Sequence, residues 1–443
     1  MENVSYPEFK AFGDDLYRCV KCGSCRSVCP VFAELERESS VARGKLALIE
    51  EIADGNLEAA KRFEEIISLC LGCSACVENC SNGVRAVEII MAAREALVNA
   101  KGMSLSKRTV LRRFLNTTRL MPALLKTGSL LQGLFLKRIP GESGLHLRFS
   151  LPYFDKKRFI PPLAKKFFLE KHGGKEIKAE REVERVGYFV GCVANYLFPS
   201  IGEATLNLLK DRGTSIMALD EQGCCGLPAY GVGDMQTFRE LALRNIKSIE
   251  KSGLNNIIVS CSSCAYAFKK LYPKAFPDDG RVNKISTKIV EISQYLNSYP
   301  PSTIHDSRTT NHESRTPNPE PRDTKKIKVT YHDPCHLNRE LGIKSEPREI
   351  LKTIPGIEFV EMSNPSRCCG SGGSFNLSHY DLSLKILDRK MDDIKSTGAE
   401  IVLTNCSGCM LQLKDGAHQK GMKVEVLHLV EAVQKFASRG GRV

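Results

Sequence analysis

The stretch NNIIVSCSSCAYAF at residues 255–268 returns in altered form as AEIVLTNCSGCMLQL at residues 399–413. In both, a short β-branched run leads straight into C-x2-C. Working outward, RVGYFVGCV (185–193) and EQGCCGLPAYG (221–231) precede the first stretch. KIKVTYHDPCH (326–336) and PSRCCGSGGSF (365–375) precede the second. Equivalent cysteines are offset by 143 (Cys192 to Cys335), 144 (Cys224 to Cys368) and 145 (Cys261 to Cys406). So steady an offset marks one domain duplicated. VGYFVG (186–191), TSIMALD (214–220) and NIIVSC (256–261) read as strands. SIGEATLNLLKDR (200–212) and MQTFRELALRNIKSIEKS (235–252) read as helices. The apolar runs lack strict alternation, which suits strands buried on both faces. Each copy is therefore expected to be an α/β unit with a parallel sheet. Its cysteines fall just past the strands, where open α/β sheets build their sites.

The whole chain has 443 residues, 18 cysteines, no tryptophan and a formal net charge of +13. That length accommodates several domains with real cores. The cysteine density is below that of a disulfide scaffold, and a chain of this size has no need of staples. The opening MENVSYPEFKAFGDD has no basic and apolar leader pattern, and no run of 18 apolar residues exists. A cytoplasmic protein is expected, in which many cysteines mean metal or redox chemistry.

Five segments follow. Residues 1–100 carry eight cysteines, 101–180 none, 181–298 five and 326–443 five. Residues 299–325, with HDSRTTN nearly repeated as HESRTPN, read as a disordered linker. Residues 101–180 hold 18 Lys or Arg against five Asp or Glu, so the net +13 is local to them. This segment reads as a basic helical connector whose apolar side packs on its neighbours, or as a membrane-surface helix. The packed connector is the preferred reading. No helix-turn-helix, zinc-finger or RNA-binding signature accompanies the charge, so nucleic acid is not expected as a partner.

CVKCGSCRSVCP (19–30) and CLGCSACVENCS (70–81) share the spacing C-x2-C-x2-C-x3-C. In such runs three thiolates wrap one cubane and the fourth reaches the other. The expected ligands are crossed: Cys19, Cys22, Cys25 and Cys80 for one [4Fe–4S] cluster, Cys70, Cys73, Cys76 and Cys29 for the other. Paired C-x2-C units also make zinc sites, but those need no third evenly spaced cysteine. Amphipathic patterns at 40–55 and 57–69 make this a helical dicluster module. Arg43, Gly44 and Lys45 lie between the runs, either near a cluster or at a solvated helix end.

The duplicated halves hold Cys192, Cys224, Cys225, Cys261 and Cys264, then Cys335, Cys368, Cys369, Cys406 and Cys409. Adjacent cysteines do not easily bridge each other. Zinc, iron–sulfur and a redox dithiol all remain open for these sets. His332 and His336 flank Cys335 and could shuttle protons as catalytic groups, although a structural role at a strand end is preferred. Gly370, Gly372 and Gly373 are expected to turn backbone amides toward cluster sulfurs. Met235 and Met410 read as core. No flavin or nicotinamide fingerprint is present, so neither FAD nor NAD is expected in this chain.

Both sets resemble the cysteine-rich "CCG" domain, here GCCG at 223–226 and RCCG at 367–370. A dicluster ferredoxin followed by two CCG domains is similar to the glycolate oxidase iron–sulfur subunit family, and to lactate-dehydrogenase, anaerobic glycerol-3-phosphate dehydrogenase and heterodisulfide reductase subunits. YHDPCHLNR and CCGSGGSFNL look most like the glycolate/lactate branch. The resemblance implies an α+β multidomain fold and two cubane clusters, with one or two further non-cubane clusters in the CCG domains. It also implies electron transfer from an FAD-binding 2-hydroxyacid dehydrogenase partner toward quinone, on the inner face of the cell membrane. Heterodisulfide reductase, where the same pattern cleaves a disulfide, supplies the alternative, because both sets are complete here.

Overall fold

The computed structural model describes residues 9, 12–115, 120–139, 144–148, 155, 157–298 and 326–437. The expected linker at 299–325 lies outside them. Among the described residues eleven strands run in chain order: β1 (Leu136–Arg138), β2 (Leu145–Leu147), β3 (Glu176–Ile177), β4 (Glu184–Phe189), β5 (Thr214–Ala218), β6 (Ile257–Val259), β7 (Ile289–Glu291), β8 (Ile327–Tyr331), β9 (Ile357–Phe359), β10 (Ile401–Thr404) and β11 (Glu425–His428). The first sheet has the order β3-β5-β4-β6-β7 and the second β11-β10-β8-β9. Apart from the antiparallel edge strand β3, every pairing in both sheets is parallel. Reading β4 as β8, β5 as β9, β6 as β10 and β7 as β11, the two orders are the same. The duplication is thus a duplication of topology.

The two sheets share one core. Helix Pro199–Lys210 packs on helix Leu429–Ala437, and helix Ile292–Ser298 packs on helix Glu346–Thr353. The first helix of each copy meets the last helix of the other, the reciprocal pairing of a two-fold interface. Val186, Tyr188, Ile258, Val329, Tyr331, Val402 and Leu403 are fully enclosed in that core. Burial on both sheet faces explains why these runs are apolar without alternation. Met410 belongs to the same core and Met235 packs at its edge.

The N-terminal module is helical. Helices Ala42–Ala53, Lys61–Ser68 and Ala86–Lys101 bury Leu46, Ile49, Phe63, Ile67, Ile89 and Ile90 in a core of their own. It docks on both copies. A Cβ at Gly233 would lie 2.5 Å from the Arg94 backbone, so only glycine allows that approach.

The segment 101–180 departs from a purely helical connector. It contains helices Leu105–Arg108 and Leu120–Phe135, but also the β1–β2 hairpin and edge strand β3. Leu111 is buried and Arg112 pairs with Asp234 at 3.2 Å, as packing on a neighbour requires. Helix Leu120–Phe135 behaves otherwise and leaves Leu124, Leu131, Leu134 and Phe135 exposed.

Candidate metal centres

The two N-terminal cysteine loops have the same backbone. Lys21 and Gly23 adopt φ of 54° and 91°, and their counterparts Gly72 and Ser74 adopt 65° and 57°. Two left-handed residues in each C-x2-C-x2-C run curl the chain, so that consecutive thiols point inward. Cys19, Cys22, Cys25, Cys76 and Cys80 line one cavity of about 40 Å³. Cys22 is exposed, and the Ser24 hydroxyl lowers its pKa. Burial pushes the Cys29 thiol up to about 11, with Cys73 and Cys70 as charged neighbours. Cys76 is likewise pushed up by burial, then by Cys70, Cys73 and Cys29. The geometry thus gathers Cys29 with the second run and Cys80 with the first.

Cations hold these loops. Arg43 Nη1 donates to Lys21 O at 2.8 Å while its other nitrogens bond Glu38. Lys45, one of the residues expected near a cluster or at a solvated helix end, is 1% exposed. It donates to Ser40 O, and burial lowers its pKa against the pull of Cys70 and Cys29. Arg94 Nη2 donates to Ile67 O (3.0 Å), Ser68 O (3.2 Å) and Cys70 O (2.6 Å), and Nη1 reaches Gly231 O. Arg339 donates to Cys73 O (3.1 Å), Ser366 O (2.8 Å) and Glu78 (2.9 Å). Sequence reading missed both arginines, because a lone Arg in a helical pattern looks like a solvated one.

In the first CCG set, Cys192 and Cys224 are 3.8 Å apart, and Cys225 contacts both Cys224 and Cys264. In the second, Cys368 contacts Cys335, and Cys369 contacts both Cys368 and Cys409. All 18 cysteines are free thiols. Contacts with neighbouring thiols pull Cys225 down to about 6 and hold Cys369 and Cys406 well below the ordinary range. Cys264, Cys335 and Cys409 are pushed well up by the same contacts and by burial. Such a set cannot be fully ionised without a cation, so its chemistry fits a metal centre. Gly370 N–H donates to Cys368 Sγ at 3.4 Å, the amide-to-sulfur contact expected of the CCGSGG loop.

The sulfur sets also meet one another. Cys73 is in hydrogen-bond contact with Cys368, which raises its pKa together with burial. A Cβ at Gly372 would lie 2.6 Å from Leu71, so this glycine lets the CCGSGG loop close on the Cys70–Cys73 loop. Cys261 contacts Cys406 across the two-fold. Ser407 Oγ donates to Cys261 Sγ at 3.4 Å, and Ser263 Oγ lies 3.3 Å from Cys406 Sγ. Sulfur contacts therefore run from Cys73 through Cys368, Cys369, Cys409, Cys406, Cys261, Cys264, Cys225 and Cys224 to Cys192.

His336 sits at the junction, with Nδ1 3.0 Å from Ser263 Oγ and its ring stacked on Tyr266 at 4.7 Å. Burial lowers its pKa. His332 is fully enclosed beside Cys369 and Cys409, and burial drives its pKa down to about 3.

A second reciprocal contact lies under the C-x2-C loops. Glu291, last in β7, accepts from Asn405 Nδ2 at 2.9 Å, and Asn405 precedes Cys406. His428, last in β11, donates through Nε2 to Ser260 O at 2.7 Å, and Ser260 precedes Cys261. Burial raises Glu291 from 4.5 to about 7. A raised carboxyl stabilises the fold fully below pH 4.5 and loses that contribution as pH climbs through 7. Glu291→Gln is therefore expected to flatten the pH dependence and to be the more stable form above pH 7, by roughly 3 kcal/mol. Denaturant unfolding at a series of pH values checks this. Parallel profiles for the two proteins would show that Glu291 titrates normally.

The description "4Fe-4S dicluster domain" matches residues 15–84, and "Cysteine-rich domain" matches residues 186–269 and 329–414. The probable glycolate oxidase iron–sulfur subunit of Bacillus subtilis is 32% identical over 442 residues, covering 97% of this chain and 96% of that protein. The chain belongs to the glycolate oxidase iron–sulfur subunit family. A subunit of the fumarate reductase (CoM/CoB) of Methanothermobacter marburgensis is 28% identical over 420 residues, covering 93% of this chain and 71% of that one. A subunit of the dihydromethanophenazine:CoB–CoM heterodisulfide reductase of Methanosarcina mazei is 26% identical over 444 residues, covering 95% and 93%. Family membership makes this chain an iron–sulfur oxidoreductase subunit, glycolate oxidase-like or heterodisulfide reductase-like. Among the described residues no helix is long and apolar enough to cross a membrane.

Proposed function

We propose that this chain is the electron-transferring subunit of a 2-hydroxyacid dehydrogenase. An FAD-binding partner oxidises glycolate or D-lactate, and this chain carries the electrons toward quinone or another acceptor. The observation that carries the reading is the line of sulfur contacts from Cys73 of the ferredoxin module to Cys192. Iron–sulfur clusters bound by these thiolates, two cubanes in the ferredoxin module and further ones in the CCG sets, would supply one-electron chemistry. The chain's own part is to bring the donor sets together, with Cys22 the one exposed thiol among them. That exposed end is where the partner would dock. The anaerobically reconstituted chain is expected to leave glycolate and D-lactate untouched alone and to pass their electrons to a quinone analogue once the flavoprotein is added. Hydroxyacid oxidation by the chain alone would refute the assignment.

A heterodisulfide reductase-like activity is the second reading, favoured by the Cys261–Cys406 contact that brings two complete five-cysteine sets together. It requires reduction of a mixed disulfide by the reduced protein, with loss of that activity in Cys368→Ala.

The acceptor side implies a membrane surface. Helix Leu120–Phe135 presents exposed Leu124, Leu131, Leu134 and Phe135 within the most basic segment of the chain. Apolar residues beside Lys126, Lys137 and Arg138 suit an anionic lipid interface. Cosedimentation with phosphatidylglycerol vesicles is expected, weakened in a Leu131→Ser/Leu134→Ser/Phe135→Ser variant and by salt. Equal binding by the variant would remove this helix as the docking surface.

A further inference from the structure

The duplication isolates one difference between the two CCG sets. The offset of 143 that relates Cys192 to Cys335, and Tyr188 to Tyr331, places His332 opposite Phe189. Both side chains are enclosed, at 1% and 0% exposure. Phe189 meets hydrocarbon, with its ring edge-on to Phe268 at 4.8 Å. His332 instead meets sulfur. A ring nitrogen of His332 and the sulfurs of Cys369 and Cys409 all lie within 4.8 Å of one another. The His332 backbone is fixed there by its N–H donating to Leu403 O at 2.8 Å.

His332 Nδ1 is sealed from solvent with no hydrogen-bond partner. An unsatisfied buried polar group is costly and rare in a stable fold. Neither sulfur is placed to accept a hydrogen bond from Nδ1. What a ring nitrogen of His332 and the sulfurs of Cys369 and Cys409 share is the space between them. A metal ion with ordinary bonds to two sulfurs and one imidazole nitrogen fits such a triangle.

We propose that His332 is a nitrogen ligand of the metal centre in the second CCG set, beside Cys369 and Cys409, whereas the first set, with Phe189, is held by sulfur alone. The proposal rests on the reading of the five-cysteine sets as metal centres. Its consequence is that the two centres differ. Both sets keep five cysteines, so the imidazole adds a neutral nitrogen donor that the first set lacks, and axial or outer donors of this kind tune the potential of an iron–sulfur centre. The second centre, in contact with the ferredoxin module through Cys73, then differs in potential from the first.

The test uses the full chain, reconstituted anaerobically with iron and sulfide, grown with ¹⁵N-histidine or with natural abundance, and reduced stepwise. Pulsed EPR is expected to show a strongly coupled nitrogen that changes with the isotope, survives His336→Gln, and is lost in His332→Phe. That variant copies the first set's own residue and should keep its iron content and ferredoxin signals, while the potential of the second CCG centre shifts. The isotope comparison in the unaltered chain stands even where His332→Phe fails to fold. Only weak nitrogen coupling, as from an N–H···S contact, overturns the proposal, and so does strong coupling that persists in His332→Phe. Metal analysis showing no metal in the C-terminal sets overturns it together with the reading beneath it. Metal present without nitrogen coupling overturns the ligand alone.

Discussion

Replacing Cys73 with serine is expected to cut the protein in two electronically. Cys73 is buried, belongs to the second N-terminal run, and is in contact with Cys368 of the second CCG set. It is the point where the ferredoxin sulfurs meet the C-terminal ones, and Arg339 fixes its carbonyl from the CCG side. Serine keeps the shape and the fold but offers a poor ligand. Electron transfer from the flavoprotein to the acceptor should fall by at least the roughly 10–100-fold that loss of even an outer-shell partner costs a metal site. The EPR signal of the set lined by Cys19, Cys22, Cys25 and Cys80 should persist, which separates a broken contact from an unfolded module. Transfer at the parental rate would show that electrons do not pass this junction.

The second large effect is structural. Arg94 supplies donors to the carbonyls of Ile67, Ser68 and Cys70 in its own module and to Gly231 in the first CCG domain. Burial lowers its pKa, yet it remains a cation at any working pH. Arg94→Met fills the volume and removes every donor. Several enclosed carbonyls then lose their partners, at about 1–3 kcal/mol for each one left unsatisfied. The variant should lose about 3 kcal/mol or more of stability. It should also release the metal of the Cys70 loop before that of the Cys19 loop. Chelator challenge followed by absorbance measures the order of release. Equal release from both loops would mean that Arg94 holds nothing that the cysteines do not hold already.

Much of this architecture was legible in the sequence. The β-branched runs at 186–191, 214–220 and 256–261 became β4, β5 and β6 within a residue or two, and the helical patterns at 200–212 and 235–252 became helices. Burial on both faces leaves a plain apolar signature, and a duplicated cysteine spacing fixes the register between the copies. The last strand of each sheet in chain order escaped notice. Ile289–Glu291 and Glu425–His428 are three and four residues long, and each ends in a charged or titratable residue that reads as a loop. Those end residues, Glu291 and His428, matter because each bonds the opposite copy, a contact set by tertiary packing alone. Arg94 and Arg339 were hidden for a related reason. A buried cation is recognised by the carbonyls and thiols around it, which come from residues far away in the chain. The exposed apolar stripe on helix Leu120–Phe135 shows the converse: an amphipathic pattern predicts that one face is apolar, and only the fold reveals what lies against it.

Iron, acid-labile sulfide and zinc counted per chain in the anaerobically purified protein test the central claim most directly. If the 18 cysteines divide into two cubane sites and two C-terminal metal centres, iron and sulfide should both exceed the about eight atoms that two [4Fe–4S] clusters supply, with little zinc. About eight irons together with stoichiometric zinc, or with ten thiols open to alkylation after mild unfolding, would contradict it.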